Sequence, residues 1–171
     1  MKLKYQVLYL IFVMTVFSCK NETVEQKSTS SISNSLTKKE KSLEALGKKY
    51  FDIWTATQAV GATEKDIENY LDLLVEDVGH HHYPYDKDDT RMLENKKNIR
   101  KGMLYYLGVH TEYNASLTSL TVGHNVIIIK FKSSSKGIHP QTKKEIKSSK
   151  NTVEVLEVEN GKISMIRKYR E

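Results

Sequence analysis

Three consecutive histidines, His80-His81-His82, are the residues of this sequence most able to do chemistry. We predict a short strand over residues 77–83, which Pro84 ends or places at a sheet edge. Because side chains alternate along a strand, His80 and His82 would project to one face and His81 to the other. An imidazole is a competent general base near neutral pH. The strand therefore offers a base, or a polar pair, to one face of a sheet.

The same histidines raise the question of a metal site, since two histidines at positions i and i+2 can share an ion. A third ligand could come from Asp86, His110, His124 or Glu154. No fixed ligand spacing supports such a site. The sequence predicts no metal and no other cofactor, and leaves His80 and His82 as pocket-lining residues or as a partly exposed strand end.

A second informative stretch is the C-terminal run of alternating residues around Asn160-Gly161. An Asn-Gly pair between alternating strands predicts a two-residue type I′ hairpin, which sets the pairing of the strands. In that register Glu154 faces Arg167. The other predicted pairs are Glu159 with Lys162, Val158 with Ile163, Leu156 with Met165 and Thr152 with Tyr169. One face would be apolar near the turn and carry the Glu154–Arg167 pair farther along, either as a structural ion pair or as part of a pocket wall.

Three predicted helices must position these residues. A capping box, Thr37 to Glu40, starts the first helix, and a similar pattern, Thr63 to Asp66, starts the second. A third helix is predicted over residues 95–107. Apolar residues recur at three- and four-residue steps in each helix, so one side of each should face a core. Aromatic residues on these sides include Tyr50, Trp54 and Tyr106.

Strands dominate the second half of the chain. Residues 113–122 alternate, and residues 126–132 are apolar on both faces, with Val126 and Ile128 on one and Ile127, Ile129 and Phe131 on the other. One face can cover the helices, and the other predicts a homodimer through the outer face of the sheet. Residues 133–149 read as a long hairpin connection or flexible strand ends. The order α-α-β-α-β-β-β-β, with helices and antiparallel strands segregated, predicts an α+β fold.

This order resembles the nuclear transport factor 2-like superfamily, and within it the SnoaL-like group. The resemblance rests on residues 50–54 (YFDIW), 71–78 (LDLLVEDV), 96–107 and 157–163 (EVENGKI) followed by Tyr169. It implies a strongly curved antiparallel sheet wrapped around three helices to form a cone with an internal pocket. Because this fold supports several enzyme activities and many proteins without one, function has to be argued from the site.

The ketosteroid isomerase branch of that superfamily suggests three roles. A first-helix phenol corresponds to Tyr50, and an acid on a late strand corresponds to Glu154. The proton-shuttling aspartate of that branch has no counterpart, because His82 or Tyr83 occupies its position. The resemblance therefore implies Tyr50, His82 and Glu154 as candidate catalytic residues. Candidate pocket residues are Trp54, His80, Tyr83, Tyr106, Arg167 and Tyr169.

The N-terminus has the pattern of an export signal. Two lysines precede an apolar run that ends in Val16-Phe17-Ser18-Cys19, and this run is too short to span a bilayer comfortably. Its end resembles the lipobox of bacterial lipoproteins. We predict a signal peptide over residues 1–18, a lipidated Cys19 with a flexible tether over residues 19–37, and the folded domain over residues 38–171. The domain would be held at the cell envelope, outside the cytoplasm.

The whole-chain charge narrows the range of partners. The formal net charge is +6, and the basic residues do not cluster with aromatic ones in a nucleic-acid pattern. We expect no nucleic-acid binding, and favour a membrane-anchored domain that binds a small ligand in a cone-shaped pocket. The alternatives are a pocket isomerase, cyclase or hydrolase with a histidine base and Tyr and Glu/Arg polarising groups, and a dimeric structural component of the envelope.

Overall fold

The structure, a computed structural model, describes residues 36–170. The predicted signal peptide, the lipidated Cys19 and almost all of the tether lie outside these residues. The elements follow the predicted order. They are α1 (Lys38–Gln58), α2 (Glu64–Leu71), β1 (Leu74–His82), α3 (Leu93–Tyr105), β2 (His110–Gly123), β3 (Val126–Ile138), β4 (Glu145–Glu159) and β5 (Lys162–Arg170). None of the helices in this part of the chain combines the length and apolarity needed to cross a membrane.

The capping motifs start the first two helices as predicted. The Glu40 backbone N–H donates to the Thr37 hydroxyl at 3.2 Å, while the Thr37 N–H donates to the Glu40 carboxylate at 2.7 Å. At α2 the Thr63 N–H donates to Asp66 at 2.8 Å. Each box satisfies N–H groups that have no partner inside the helix. Helix α3 begins and ends two residues before the predicted positions, so Tyr106 falls at its C-cap.

The five strands form one mixed sheet in the order β1-β5-β4-β3-β2. All neighbours are antiparallel except β1 and β5, which are parallel. The predicted antiparallel sheet is therefore found in β2 to β5, and the parallel pairing of β1 is the one departure from it within the described residues. Helix α3 separates β1 from β2 in sequence and packs against β1, so the chain crosses to the far edge before the meander of β2 to β5 begins. The last strand of that meander then meets β1 in the same direction.

Residues 133–149 are mostly strand, so of the two interpretations of this segment, a long connection or strand ends, the second is closer to the structure. Pairing of β3 with β4 continues from Val126–Glu157 to Ile138–Glu145, and the turn is confined to residues 139–144. Polar side chains on both faces do not prevent pairing, because the backbone groups make the ladder and each face of this half of the hairpin is at least partly open to water. The hairpin therefore extends well past the apolar core.

Helices α1 and α2 cover the face of the sheet that we call the inner face. Gly47 allows the close approach of α1, because a Cβ atom there would lie 2.8 Å from side-chain atoms of both Ile127 and Leu120. The fully buried residues include Tyr50, Ile67, Leu74, Ile127, Ile129, Leu156, Ile163 and Glu154. As predicted, Ile127, Ile129 and Phe131 share the face that meets the helices.

A one-residue bulge in β5 changes the predicted register of the final hairpin. Glu159 pairs with Lys162 and Val158 with Ile163, as the Asn-Gly turn predicts, but Glu157 then pairs with Met165. Ser164 is the extra residue. Beyond it the pairs are Leu156 with Ile166, Val155 with Arg167, Glu154 with Lys168, Val153 with Tyr169 and Thr152 with Arg170. The three predicted pairs Leu156–Met165, Glu154–Arg167 and Thr152–Tyr169 are wrong, because a shift of one residue exchanges the two faces of a strand.

Candidate functional site

The centre of the inner face is a buried carboxylate. Glu154 on β4 is 0% exposed, and the Tyr50 hydroxyl of α1 donates to its Oε2 at 2.8 Å. The Tyr70 hydroxyl of α2 lies 3.3 Å from that of Tyr50. Since the Tyr50 proton is directed to Glu154, Tyr70 is the donor in this second bond. Phenols from two helices therefore form a short chain of hydrogen bonds that ends on one strand carboxylate.

Lys168 supplies the positive charge for this carboxylate. Its ammonium forms an ion pair with Glu154 Oε1, and the residue is only 4% exposed. The same ammonium lies 4.0 Å from the centroid of the Trp54 ring, a cation–π contact. Lys168 faces Glu154 only because of the bulge at Ser164. The sequence register placed Arg167 there, so Lys168 was missed.

Burial shifts the titration of the groups around this pair. It lowers the pKa of Lys168, an effect that the Glu154 charge opposes. Burial and the Glu154 charge together raise the pKa of the Tyr50 phenol well above its usual value. The pKa of Tyr70 is raised for the same two reasons. Both phenols are therefore neutral donors near pH 7.

Cations gather on the inner face beyond Lys168, at the end of the sheet where β4 and β5 leave the core. Lys150 and Arg170 follow Glu154 and Lys168 along these strands with the same alternation. Burial lowers the pKa of Lys150, and the charges of Arg170 and Lys168 lower it further. Burial also lowers the pKa of Arg170, against the charge of Glu154. Among residues 36–170, no carboxylate lies within ion-pair distance of Lys150 or Arg170.

His82 completes this group of residues from strand β1, where it pairs with Lys168. Burial lowers its pKa to about 3, and the charges of Arg170, Lys168, His80 and Lys150 act in the same direction. The imidazole is therefore neutral near pH 7, and its buried Nε2 has no hydrogen-bond partner among the described residues. We call the residues Trp54, His82, Tyr113, Lys150 and Arg170 the inner mouth.

Two tyrosines add phenol rings to this region: Tyr113, which belongs to the inner mouth, and Tyr85, which lies beside His82. Tyr113 projects from β2, and burial together with the Glu154 charge raises its pKa to about 12. Tyr85 follows β1, is 78% exposed and packs edge-on against His82, with ring centroids 5.4 Å apart. The inner mouth thus places aromatic rings next to two cations, Lys150 and Arg170, whose charges no nearby carboxylate among residues 36–170 neutralises in an ion pair.

Some of the predicted site residues lie together on the inner face. Tyr50 and Glu154 are in direct contact, and Trp54 lies on the inner face above Lys168. His80 and His82 share the inner face, and His81 lies on the opposite one beside Arg167, as alternation predicts. Burial lowers the pKa of His80, and the Lys168 charge adds to that effect. The catalytic roles of Tyr50, His82 and Glu154 remain predictions.

Four predicted pocket residues lie away from the inner face. Arg167 and Tyr169 are exchanged to the outer face by the bulge, and Tyr169 is 40% exposed beside His81. Tyr83 follows His82 by one position, so it points outward and is 48% exposed. Tyr106 lies past the end of α3 and is 52% exposed beside His139. The structure therefore corrects the placement of these four residues as lining of an internal pocket.

Arg167 instead ties a loop to the outer face of the sheet. Its guanidinium forms ion pairs with Glu157 on β4 and with Asp89, which follows β1, the latter at 3.0 Å. Arg91 in the same loop makes ion pairs with Asp77 at 2.8 Å and Glu159 at 2.6 Å. These side chains are all partly exposed. The loop before α3 is thus held across the outer side of β1, β5 and β4.

The measured concavities do not enclose the buried pair. One, of about 310 Å³, is lined by polar residues on the far halves of β2, β3 and β4. Another, of about 540 Å³, lies between the start of α1 and the Asn160-Gly161 turn. Neither is lined by Tyr50, His82 or Glu154, and no group of three or more metal-ligating side chains converges within the described residues. The inner mouth, rather than the Tyr50–Glu154 contact, is the part of this face that an external molecule reaches first.

Sequence reasoning missed three cations of this site, Lys150, Lys168 and Arg170. Tyr70 was placed on the apolar side of α2 but not connected to a carboxylate. A correct register of β5 would have aligned Lys168 with Glu154 and Arg170 with Thr152. The sequence offers no glycine at Ser164 to mark the bulge, although bulges of this kind do not require one. Lys150 lies between the segment 133–149, interpreted as a connection or flexible strand ends, and the predicted hairpin that starts at Thr152, so it was assigned to neither face.

Comparison with known proteins places the fold but not an activity. The sequence matches no protein-family model, and a comparison with curated proteins found no match. Among solved structures, a protein from Shewanella denitrificans OS-217 described as a SnoaL-like polyketide cyclase is similar, with a TM-score of 0.59 and 11% identity over 75% of this chain and 90% of that chain.

Two further structures resemble the chain to the same degree. A nuclear transport factor 2-like protein from Anabaena variabilis ATCC 29413 has a TM-score of 0.57 and 18% identity, over 80% of this chain and 95% of that one. A protein from Kribbella flavida DSM 17836 described as a ketosteroid isomerase has a TM-score of 0.54 and 18% identity, over 77% and 79% of the two chains. With three helices held against one open, mixed sheet, residues 36–170 have the nuclear transport factor 2-like fold that SnoaL-like proteins share.

Proposed function

We propose that this domain binds a small organic anion, such as a carboxylate or a phosphate monoester, at the inner mouth. The observation that carries the proposal is the excess of partly buried positive charge at Lys150 and Arg170, beyond the ion pair of Lys168 with Glu154. Cations held in a partly desolvated place without carboxylate partners are stabilised when an anion arrives. Charge-assisted hydrogen bonds from a guanidinium and an ammonium would then hold it.

The neighbouring groups suit an anion with an apolar or planar body. Trp54 and Tyr113 supply aromatic surface, and the neutral His82 supplies a ring nitrogen without a partner among the described residues. A small ligand site of this kind combines apolar walls with a few polar groups that fix orientation. The names of the similar structures include cyclase and isomerase, so they favour a domain built around a small organic molecule without selecting one.

Binding is favoured over catalysis by the state of the candidate catalytic residues. A general base works best with a pKa near the working pH, whereas the pKa of His82 is about 3. The Tyr50 proton is already donated to Glu154, and Lys168 holds that carboxylate in an ion pair. A pocket enzyme that uses Tyr50, His82 and Glu154 would have to release these contacts first. Loss of a measured turnover in the His82→Ala variant would favour the enzyme over the binding domain.

Thermal-shift and calorimetric titration with carboxylates, phosphate monoesters and matched neutral amides test the proposal. Anionic probes should raise the melting temperature, by an amount that grows with the logarithm of ligand concentration over Kd, and neutral ones should not. The Lys150→Gln/Arg170→Gln variant should bind about tenfold or more weakly, since it removes two charge-assisted contacts. Lys130→Gln/Lys132→Gln is the matched control, because both lysines are exposed on β3 and point away from the inner face. Equal weakening in both variants would contradict a localised site.

The proposal includes attachment to a membrane through Cys19. Its support is the sequence pattern of residues 1–19 alone. Mass spectrometry of the mature N-terminal peptide should find a lipid-modified cysteine, and Cys19→Ser should move the protein from the membrane to the soluble fraction. A wild-type chain that starts at another residue, or that carries an unmodified cysteine, would contradict it.

A homodimer through the outer sheet face is a separate part of the proposal. The outward side chains of Val126, Ile128, Val153 and Val155 are only partly buried in the single chain. A second copy would remove this apolar surface from water. Sedimentation of the full chain in detergent, corrected for the mass of bound detergent, should give twice the monomer mass. The Ile128→Lys variant should sediment as a monomer, and a wild-type monomer at micromolar concentration would contradict the dimer.

A further inference from the structure

The tip of the β3–β4 hairpin carries exposed aromatic, apolar and lysine side chains that are not part of the inner mouth. Its turn, residues 139–144, lies beyond the last strand pair, Ile138 with Glu145. The Asn160-Gly161 turn lies at the other end of β4, which is 15 residues long and therefore spans about 50 Å. The start of α1 is at that other end, where Lys39 and Ser42 line a concavity together with Asn160. The tip is thus the part of this hairpin farthest from the start of α1.

Apolar and aromatic side chains are exposed at this tip. Tyr105, Tyr106 and Ile138 are 48%, 52% and 46% exposed. The Tyr106 ring centroid lies 4.9 Å from that of Tyr105 and 6.2 Å from that of His139. The Ile138 N–H donates to the Val109 carbonyl at 3.1 Å, which fastens the hairpin to the segment after α3. The exposed rings and Ile138 therefore form one patch rather than scattered residues.

The same region carries a strong positive charge. Residues 130–150 contain seven lysines and a single acid, Glu145. Lys147 pairs with that acid, and Lys136 pairs with Glu112 of β2. Within residues 36–170, no ion pair engages Lys143 or Lys144 in the turn, and both are exposed. We call Tyr105, Tyr106, Ile138, Lys143 and Lys144 the hairpin tip.

We propose that the hairpin tip docks on the anionic surface of a phospholipid membrane. Tyrosine rings are favourable at the level of the lipid head groups, and lysines next to them are attracted by anionic lipids. An exposed patch of this composition at one end of a domain is typical of surface attachment rather than of insertion across the bilayer. The proposal rests in part on the lipidation of Cys19, which would bring the membrane within reach.

The length of the chain allows both attachments together. The 19 steps from Cys19 to Lys38 span at most about 65 Å, which is more than the length of β4. In a chain anchored at Cys19, the hairpin tip can therefore contact the same membrane, with the strands either parallel to the membrane surface or inclined towards it. Docking would also bring the inner mouth towards the lipid, since Lys150 lies on β4 between Glu154 and the tip.

A fluorescent label at the tip tests the docking. Thr142→Cys, in the exposed turn, would carry an environment-sensitive dye in the full chain, and Lys162→Cys beside the opposite turn would carry the same dye as a control. Vesicles would be neutral phosphatidylcholine, or phosphatidylcholine with about one third anionic phosphatidylglycerol. The tip label should shift to shorter wavelength on anionic vesicles only and lose this shift in high salt, and the control label should not respond.

Variants separate charge from apolar contact and from anchoring. Lys143→Gln/Lys144→Gln should weaken docking about tenfold or more, whereas Lys65→Gln/Lys162→Gln, which removes two exposed lysines elsewhere, should not. Tyr105→Ser/Tyr106→Ser should reduce the spectral shift. In the Cys19→Ser chain the label should still respond, but at a higher vesicle concentration, because no second attachment holds the domain near the membrane. The label therefore measures docking whether or not the cysteine is lipidated.

Flotation of the vesicles reports anchoring independently of the label. Flotation of the labelled Thr142→Cys chain without a label response on anionic vesicles would overturn the docking while leaving the anchor intact. An equal response on neutral and anionic vesicles, or one unchanged by Lys143→Gln/Lys144→Gln, would also overturn it. Melting temperatures close to that of the wild type would show that these surface variants remain folded.

Discussion

Strands β4 and β5 carry two acid–base pairs, one on each face of the sheet. On the inner face Glu154 and Lys168 are 0% and 4% exposed, and on the outer face Arg167 meets Glu157 and Asp89 with all three side chains partly in water. The two groups share the same chemistry and neighbouring positions in the sequence. They differ in whether water can replace a lost partner.

That difference sets how much each pair matters to the fold. A buried ion is stable only while its partner and its hydrogen bonds are present, so loss of one partner leaves a charge without solvation. An exposed pair gains little and loses little, because water and salt screen both charges. The inner group should therefore be far more sensitive to substitution than the outer group.

The largest effect is expected when Lys168 is removed. Lys168→Ala leaves Glu154 buried and unpaired, which should lower the free energy of unfolding by about 3–5 kcal/mol, measured by urea denaturation. The double variant Glu154→Gln/Lys168→Met should recover most of this loss, because the Gln carbonyl still accepts from Tyr50 and no buried charge remains. A double variant as unstable as Lys168→Ala would show that shape, rather than charge, dominates.

A smaller loss is expected from Tyr50→Phe. The carboxylate of Glu154 then lacks the donor that now lies 2.8 Å from Oε2, so the free energy of unfolding should fall by about 1–3 kcal/mol. Tyr70→Phe is the matched control at the edge of the same network, and its loss should be about 0.5–1.5 kcal/mol. An equal loss in the two variants would mean that the bond to Glu154 has no special weight.

The next effect is a dependence of stability on pH through His82. Its folded pKa of about 3 is depressed, so between that value and its ordinary value the unfolded chain binds more protons than the folded one. Its contribution to stability is therefore complete above about pH 6.5 and falls as the pH is lowered towards 3. His82→Gln should flatten the fall in melting temperature between about pH 7 and 4.5, where most carboxylates stay ionised.

A control for this prediction is His124→Asn, which removes an exposed imidazole in the β2–β3 turn at a positive φ that Asn tolerates. Its pH profile should match that of the wild type. A His82→Gln profile as steep as that of the wild type would place the pH dependence in other groups.

The smallest effect is expected at the outer pair. Arg167→Ala should lower the free energy of unfolding by at most about 1 kcal/mol, since Glu157 and Asp89 remain in contact with water. Any loss should shrink further in high salt, as measured by the same urea denaturation. A loss as large as that of Lys168→Ala would remove the contrast between the two faces.

The parts of the fold that follow from local chemistry were predictable. The capping boxes at Thr37 and Thr63 and the Asn160-Gly161 turn each act within a few residues, so their patterns are complete in the sequence. The face assignment of His80 and His82 also follows from alternation alone. The direction of β1 against β5 depends on how the chain crosses the sheet through α3, which no local pattern encodes.

The composition of the site was less predictable, and for one physical reason. Because side chains alternate along a strand, an error of one residue in the register affects every pair beyond it. The hairpin turn was predicted correctly, but the bulge at Ser164 was not, so the sequence paired Glu154 with Arg167 instead of Lys168. The predicted faces of Tyr50 and Glu154 do not depend on the bulge, because both residues precede it in the sequence. Lys168 and Arg170 follow it, and their role became visible only when the paired strands were seen.

Ser164 gives this protein an unusual route of change. Deletion of that one codon would restore strict alternation in β5 and turn Arg167 towards Glu154, with Lys168 on the outer face. One deletion can thus exchange the side chains between the two faces of β5 beyond the bulge. Substitutions could produce the same exchange only in several steps, through variants that leave a buried charge without its partner. In an alignment with a gap at position 164, the residues of β5 before and after the gap should therefore be assigned to the two faces of the sheet independently.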